Sequence, residues 1–367
     1  MKRRGKIIGN ICAWCLLCAV ALLSVFYAYP ALTSEKETKN NERPVVLSLW
    51  HIDTFEGGKG SRANFLKNAA TAFGKEKRDC VILVSDYTAA GAKAAFESGK
   101  YPDLLSFGIG FDADPALFIP FDDLFFSGGT GTKKGKSVAY PWCAGAYAVF
   151  SRSGDFSRLS ADTVIVSKGG GNLAETACAL HLGSVAETIG DEGISDDGET
   201  AAERKSVIAE DSLAAYVDFL NGKKEYLFGT QRDLYRFAAR GTEIHAQTVN
   251  VYNDLYQYIG VLNCGEATGE EAENQKTARR FGRSFVSYLL AEKVQSTLDK
   301  IGMFSLSADI YGADTGAGAM ESALQGKNGK KIVWTANVFM SEAARKDTEK
   351  FAAEGEIVQL KKFLKSV

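Results

Sequence analysis

The stretch from Val45 to Phe73 carries the pattern that most restricts the fold of this chain. It begins with an apolar run of strand length that is rich in β-branched residues, VVLSLW. A glycine-rich loop from Phe55 to Gly60 follows, and Ser61 then stands where a helix N-cap is expected. Beyond it, apolar residues recur at helical spacing, at Leu66, Ala69, Ala70 and Phe73. A strand followed by a loop and a helix is the first unit of an α/β sheet.

The same alternation continues along the chain. Cys80–Val84 has the composition of a second strand, and Ala89–Ser98 has that of a short helix that ends at a glycine. Tyr101–Phe107 predicts a third strand, and Val164–Val166 predicts another one further on. Ala278–Ile301 has the spacing of a long amphipathic helix. Alternating strands and helices predict an α/β protein whose first three strands form a parallel, doubly wound sheet.

Composition limits what this chain can do. Its 367 residues allow two domains of ordinary size, and 46% of them are hydrophobic, so a large core can be buried. A formal net charge of −2 gives no electrostatic basis for nucleic-acid binding. Three histidines and seven scattered cysteines form no metal or disulfide pattern, and the hydrolase motifs GxSxG and HExxH are absent. We therefore predict no catalytic residues, no metal, no cofactor and no nucleic-acid partner.

The N-terminal segment has the charge pattern of a targeting sequence. Four basic residues between Lys2 and Lys6 precede an uncharged run from Ile7 to Leu32. This run is long enough to span a bilayer, and no cysteine in it has the preceding small residue that lipidation requires. Residues 1–32 are predicted to be an uncleaved membrane anchor, with a cleaved signal peptide as the alternative. The polar residues 33–43 are predicted to be a linker that places the rest of the chain outside the cytoplasmic membrane.

Four stretches of the chain carry a resemblance to a known family. In chain order they read VLSLWH, YPDLLSFG, YPWCAGAYAVFSR and AAYVDFLNGKKEYLFGTQRDLYRF. Their order and spacing resemble the extracellular solute-binding proteins of bacterial ABC importers, in particular the carbohydrate-binding group that includes maltose-binding protein. The later helix RRFGRSFVSYLLAEKVQSTLDKIGMFSL is similar to a helix of this family that ends in a glycine turn.

The resemblance implies a periplasmic-binding-protein-like fold, with two α/β lobes, a ligand cleft between them and hinge crossovers that join them. Lobe 1 would consist of residues 44–140 and 251–302, and lobe 2 of residues 141–250 and 303–367. The crossovers are expected near Pro141–Ala148, Ala239–Asn250 and Met303–Tyr311.

Five aromatic or polar residues in the first half of the chain are candidate ligand contacts. Trp50 and His51 end the first strand beside the glycine-rich loop, and a tryptophan there can stack on a sugar ring. Trp142 and Tyr147 lie in the first expected crossover, which passes along the cleft floor. Phe107 ends the third strand. The alternative for Trp50 and Phe107 is packing in the core.

Five further candidates lie in the second half of the chain. Gln231, Arg232 and Asp233 follow a predicted strand, and their amide, guanidinium and carboxylate groups suit the recognition of hydroxyl groups. An arginine also suits an anionic group. Tyr252 and Asp254 come directly after the second expected crossover. The alternative for Arg232 and Asp233 is an ion pair at a helix start.

Taken together, these features predict a membrane-tethered extracellular receptor. It would capture a small solute, most simply a carbohydrate, and the family resemblance implies that it would deliver this solute to the permease subunits of an ABC transporter. One alternative is a ligand-sensing domain that reports to a partner signalling protein. A second alternative is an extracellular glycoside hydrolase, since a pair of carboxylates can always be found among 45 acidic residues.

Overall fold

The computed structural model describes residues 17, 44–121, 131–189, 207–263, 270–313, 315–327 and 331–366. Apart from Leu17, the predicted anchor or signal peptide and the predicted linker lie outside these ranges. Within the ranges, no helix combines the length and the apolar character that crossing a membrane requires. The chain divides into two compact units, Met1–Pro44 and Val45–Val367, and every strand and helix named below lies in the second.

Strands and helices alternate through most of this second unit. In chain order, the strands are β1 (Val45–Ile52), β2 (Cys80–Tyr87), β3 (Leu104–Gly108), β4 (Thr132–Lys133), β5 (Lys136–Ser137), β6 (Tyr140–Ala144), β7 (Tyr147–Ser151), β8 (Val164–Lys168), β9 (Ile208–Asp211), β10 (Tyr226–Thr230), β11 (His245–Thr248) and β12 (Tyr256–Val261). The helices are α1 (Arg62–Glu76), α2 (Ala89–Glu97), α3 (Ala174–Ile189), α4 (Ser212–Leu220), α5 (Gln231–Ala239), α6 (Glu270–Leu290), α7 (Glu292–Gln295), α8 (Gly316–Leu324), α9 (Glu342–Ala353) and α10 (Ile357–Leu364).

The first sheet has the strand order β2-β1-β3-β12-β6. β1 lies parallel to both β2 and β3, with Leu49 opposite Leu104, which confirms the parallel arrangement predicted for the first three strands. β12 is antiparallel to its neighbours β3 and β6, so the sheet as a whole is mixed. Every residue of β3 and β12 is buried, as expected for central strands whose two faces are covered.

The second sheet has the strand order β11-β7-β10-β8-β9. Its strands β10, β8 and β9 are parallel, whereas β7 is antiparallel to β10 and β11. The chain passes from the first sheet to the second between Ala144 and Tyr147, and it returns between Thr248 and Tyr256. A third segment runs beside the first passage, because the backbones of Phe304 and Ala144 hydrogen-bond to each other. The architecture is α/β with two main sheets, as predicted.

Helix α1 begins as the sequence indicates. The hydroxyl of Ser61 accepts a hydrogen bond from the backbone N–H of Asn64 at 3.1 Å, which caps the helix. The buried face of the helix includes Leu66 and Phe73, and Phe73 packs edge-on against Phe285 of α6. Arg62, in the first turn, is also buried. Because a buried charge needs partners, we expect this arginine to contact the loop between β1 and α1.

One predicted element is wrong in its length. The helix expected over Ala278–Ile301 is in the structure α6, the short helix α7 and a 3-10 turn over Leu298–Ile301. α6 ends because Ala291 adopts an extended backbone, at φ −67° and ψ 144°. The side chain of Gln295 then donates to the carbonyl of Leu289, which satisfies one of the acceptors left open at the helix end.

Candidate functional site

A cavity of about 780 Å³ lies between the loop that follows β1 and helix α5. The loop belongs to the first sheet and the helix follows a strand of the second sheet, so the two sides of the cavity come from different sheets. The lining is polar and strongly charged. It consists of Asp53, Phe55, Glu56, Gly57, Gly58, Lys59, Gly60, Ser61, Arg62, Gly170, Arg232, Tyr235, Arg236 and Ala239.

Arg62 holds the β1–α1 loop in a fixed shape. Its Nε donates to Asp53 Oδ1 at 2.7 Å, its Nη2 donates to the carbonyl of Phe55, and its guanidinium lies 4.1 Å from the centre of the Phe55 ring. The Nη1 atom of Arg62 is buried and has no hydrogen-bond partner in the described chain. The loop therefore folds back over the first turn of α1, and the buried Nη1 of Arg62 is left without an acceptor in the described chain.

A buried network behind the loop orients His51 and Asp53. Asp53 Oδ1 also lies 2.9 Å from Nε2 of His51, and because a carboxylate only accepts, that nitrogen carries the proton. Nδ1 then accepts from the hydroxyl of Ser106 at 3.1 Å, and Ser106 in turn accepts from Nε1 of Trp142 at 3.0 Å. Burial alone would raise the pKa of Asp53, but the hydrogen bond from His51 and the charge of Arg62 outweigh it and hold this pKa well below its ordinary value.

Backbone contacts connect the loop to the end of strand β8. The N–H of Gly171 donates to the carbonyl of Thr54 at 2.6 Å, and the N–H of Glu56 donates to the carbonyl of Gly169 at 3.0 Å. Gly170 has a φ of +91°, and a Cβ on it would lie 2.5 Å from the Thr54 carbonyl oxygen. Glycine is required there because the two chains approach too closely for any side chain.

The side chain of Glu56 completes this connection. Its Oε2 atom accepts a hydrogen bond from the hydroxyl of Ser212 at 2.6 Å and forms an ion pair with Nη1 of Arg232 at 2.8 Å. Nη2 of Arg236 lies 3.7 Å from the same oxygen, and the hydroxyl of Thr230 contacts the Glu56 carbonyl at 3.4 Å. The carboxylate of Glu56, in the loop after a strand of the first sheet, thus lies among basic and hydroxyl groups on helices that follow strands of the second sheet.

Three solved structures show the same arrangement of elements. A family 1 extracellular solute-binding protein from Bifidobacterium longum subsp. infantis aligns over 88% of this chain and 98% of its own, with a TM-score of 0.54 and 12% identity. The sugar-binding protein MalE from Xanthomonas citri gives the same four values. The cyclic alpha-maltosyl-1,6-maltose binding protein from Arthrobacter globiformis aligns over 88% of this chain and 96% of its own, with a TM-score of 0.53 and 12% identity.

The chain has the solute-binding-protein fold. This confirms the predicted fold class. No protein-family model and no curated protein sequence matches the chain. At 12% identity the three structures establish the fold alone, and the chemistry of the site has to come from its own residues.

Within this fold, the candidates from the first half of the chain are buried. Trp50 stacks on Tyr87 at 4.2 Å, and Phe107 packs against Phe118 at 5.4 Å. Trp142 stacks on Phe65 at 5.7 Å. His51 and Trp142 are brought together through Ser106, behind the cavity rather than on its lining. Contact between these residues and a ligand stays a prediction, and in this conformation it would require movement of the surrounding chain.

Tyr147 and Asp254 form a second buried group, in which Tyr252 is also enclosed. The hydroxyl of Tyr147 donates to Asp254 Oδ1 at 2.8 Å and accepts from Nδ2 of Asn172 at 2.8 Å. The other oxygen of Asp254 accepts from the N–H of Leu173 at 2.7 Å. Tyr252 is fully buried and its hydroxyl has no partner in the described chain. This group fastens β7, the start of α3 and the segment before β12 to one another.

The last three candidates open helix α5. Oε1 of Gln231 accepts from the N–H of Ala146 at 3.0 Å, in the passage between the sheets. Asp233 forms a capping box with Thr230 and an ion pair with Arg236 at 2.9 Å. The alternative prediction of an ion pair between Arg232 and Asp233 is therefore wrong, because the partner of Asp233 is Arg236. Arg232 is 40% exposed and lines the 780 Å³ cavity, where its ligand role stays a prediction.

Sequence reasoning did not single out Glu56, Arg62, Ser212 or Arg236. Arg236 follows Arg232 by four residues, so helical spacing would have placed it on the same face. Glu56 lies inside the glycine-rich loop that was recognised, but its partner Ser212 is 156 residues away. No group of three or more metal-ligating side chains is found in the described ranges.

We expect Trp142→Ala to lower the free energy of unfolding by about 3–5 kcal/mol, because it empties a fully buried site and removes the donor to Ser106. Arg232→Ala should cost less than about 1 kcal/mol, since its ion pair with Glu56 is partly exposed. Urea unfolding of both variants measures the difference. Trp334→Ala, at a half-buried tryptophan, is the matched control. Equal losses in Trp142→Ala and Arg232→Ala would contradict this assignment.

Stability should also depend on pH through two buried groups. Burial raises the pKa of Asp254 from 3.8 to about 6, so the folded state binds the extra proton and stability falls as the pH rises from 4 to 6. Burial lowers the pKa of His181 from 6.5 to about 4, so the unfolded state binds the extra proton and stability rises over that window. Each contribution amounts to about 3 kcal/mol, and they oppose each other.

Urea unfolding between pH 4 and 6 separates these contributions. Relative to the wild type, Asp254→Asn should become more stable as the pH rises, and His181→Phe should become less stable. The slopes are compared, because either substitution can shift the absolute stability through packing. Asp347→Asn, on an exposed position of α9, controls for a changed net charge. Slopes that match those of this control would refute the contributions of Asp254 and His181.

Proposed function

We propose that this protein is an extracellular receptor that binds a small carbohydrate in its 780 Å³ cavity without changing it chemically. The supporting observation is that the cavity lies between a loop after a strand of the first sheet and a helix after a strand of the second. Ligands of open α/β sheets bind at the carboxyl ends of strands. Two of the similar structures are named as a sugar-binding protein and as a binding protein for cyclic alpha-maltosyl-1,6-maltose.

In this proposal the ligand bridges two lobes. Because β6 belongs to the first sheet, we place the lobe boundary after Ala144 rather than after residue 140, so that lobe 1 comprises residues 44–144 and 256–302 and lobe 2 comprises residues 147–248 and 303–367. The chain passages at Ala144–Tyr147 and Thr248–Tyr256, with the segment around Phe304, serve as the hinge. A ligand that contacts both lobes favours the closed form by the difference between its affinities for the closed and open forms.

The carboxylates of the cavity support binding over glycoside hydrolysis. Hydrolysis requires a carboxylic acid whose raised pKa lets it donate a proton to the leaving group. The pKa of Asp53 is instead held low, and its Oδ1 accepts from both His51 and Arg62. Glu56, the other acidic residue on the lining, is paired with Arg232. Carboxylates that are paired in this way suit the positioning of arginines and the acceptance of hydrogen bonds from hydroxyl groups.

The N-terminal pattern supports a location outside the cytoplasmic membrane, and the family resemblance supports delivery of the ligand to a transporter. The apolar run over residues 7–32 would hold the receptor on the outer face of the cytoplasmic membrane, either as an anchor or as a secretion signal. The partners would be the permease subunits of an ABC transporter. A sensor that reports ligand to a signalling protein would use the same cavity, so identifying the protein that co-purifies with the ligand-bound receptor distinguishes the two roles.

We expect the full-length protein, purified in a mild detergent, to melt at a higher temperature in the presence of its sugar. A ligand at 100 times its dissociation constant adds about 2.7 kcal/mol of stability. The measurement is a thermal-shift screen of mono- and oligosaccharides, followed by chromatography of each mixture. A shift with unchanged sugar supports a receptor. Released product would move the assignment to a hydrolase, and a complete absence of shifts would argue against solute binding.

A further inference from the structure

The carboxylate of Glu56 occupies a site formed by residues of α4 and α5, the two helices that follow β9 and β10 of the second sheet. The hydroxyl of Ser212 hydrogen-bonds to one of its oxygens at 2.6 Å, Nη1 of Arg232 forms an ion pair with the same oxygen at 2.8 Å, and Arg236 lies 3.7 Å from it. Ser212 begins α4, whereas both arginines lie on one face of α5. Donors from two separate helices therefore converge on a single point, where one carboxylate oxygen now sits.

The charges around the cavity favour an anionic occupant. Its lining carries four basic side chains and two acidic ones: Lys59, Arg62, Arg232 and Arg236 against Asp53 and Glu56. Asp53 is already committed to Arg62 and His51. In the described chain, Glu56 is the ion-pair partner of Arg232. Without the Glu56 carboxylate, the guanidinium of Arg232 would face the cavity unneutralised.

A second, independent observation comes from Arg62. This side chain is 4% exposed and lines the same cavity, yet its Nη1 has no hydrogen-bond partner in the described chain. A buried guanidinium N–H without an acceptor is unfavourable, because burial removes the water that would otherwise accept its hydrogen bond. On the side that belongs to the first sheet, the cavity lining thus includes a residue whose buried guanidinium nitrogen has no acceptor in the described chain and would need a shift of the loop to reach an occupant.

Glu56 is placed so that it can be displaced. Its side chain is 38% exposed, and it stands in a loop with glycines at positions 57, 58 and 60. Ion pairs that are this exposed contribute little to stability. A ligand carboxylate would receive the same hydrogen bond from Ser212 and the same ion pair from Arg232, and a planar guanidinium can bind a carboxylate through two parallel hydrogen bonds.

We propose that Ser212, Arg232 and Arg236 form a carboxylate subsite, which Glu56 fills in the structure, and that the ligand is a sugar carrying a carboxylate group, of the hexuronate class. This inference rests on the proposed function as a sugar receptor. The ligand carboxylate takes the place of the Glu56 carboxylate, and the hydroxyl groups of the sugar face Asp53 and Tyr235.

The test is titration calorimetry of the full-length protein in mild detergent. The ligands are mono-, di- and trisaccharides of galacturonate and of glucuronate, each paired with the neutral galactose or glucose counterpart. We expect the wild type to bind a uronate at least tenfold more tightly than its neutral counterpart. Glu56→Gln should strengthen uronate binding severalfold, because the internal competitor loses its charge. Arg232→Gln should weaken uronate binding at least tenfold, and Arg232→Lys should recover part of the loss.

Arg158→Gln is the matched control. It removes a guanidinium from an exposed pair with Glu225, at the opposite end of β10 from the cavity, and should leave binding unchanged. Tight binding of neutral sugars without a preference for uronates would overturn the carboxylate subsite and leave the receptor proposal intact. Binding of neither class would overturn both. Uronate binding that is equally strong in wild type, Glu56→Gln, Arg232→Gln and Arg158→Gln would show that the acidic sugar binds elsewhere, and would also overturn the subsite.

Discussion

The contact between Thr54–Glu56 and Gly169–Gly171 is the constraint on which the cavity depends. These two backbone segments follow β1 and β8, which belong to different sheets, and they exchange hydrogen bonds of 2.6 and 3.0 Å. The approach is close enough that Gly170 admits no side chain, and a Cβ on Gly171 would lie 2.7 Å from the Cα of Gly110. Because the loop is fixed at this point, Glu56 reaches Ser212 and Arg232, and the space between the loop and α5 remains as a cavity.

Local sequence signals predicted the parts of the structure that depend on local interactions. Ser61 caps α1, as the sequence indicates, because a cap is decided by a hydroxyl or carboxylate within three residues of the helix start. The β1–β3 pairing follows from the alternation of strands and helices. The break after α6 could not be read in this way. It depends on Gln295, whose side chain donates to Leu289 and to the carbonyl of Trp142, 153 residues away.

The candidate site shows the same division between local and distant interactions. Trp50 and His51 were chosen because they end a strand beside a glycine-rich loop, and the loop does line the cavity. The direction of each side chain, however, depends on the sheet and on a distant partner. His51 contacts Ser106 and Trp50 stacks on Tyr87, and neither partner can be identified from the local sequence. Arg232 is a candidate from the sequence because polar residues that directly follow a strand are expected to face the ligand cleft. Its partner Glu56 was missed because only the folded chain brings the two together.

An internal carboxylate in the cavity has a consequence for affinity. A ligand that uses Ser212 and Arg232 gains their contacts only by displacing the hydrogen bond and the ion pair that Glu56 already makes with them. The measured affinity is therefore the difference between two sets of contacts, and a ligand with no charge forfeits more than an anionic one when Glu56 leaves. Loss of the Glu56 contacts also frees one connection between the two sheets. If the proposed ligand replaces Glu56, binding and a relative movement of the proposed lobes would be coupled through the same carboxylate, and the ligand would favour the arrangement of the lobes in which its own groups replace the contacts of Glu56.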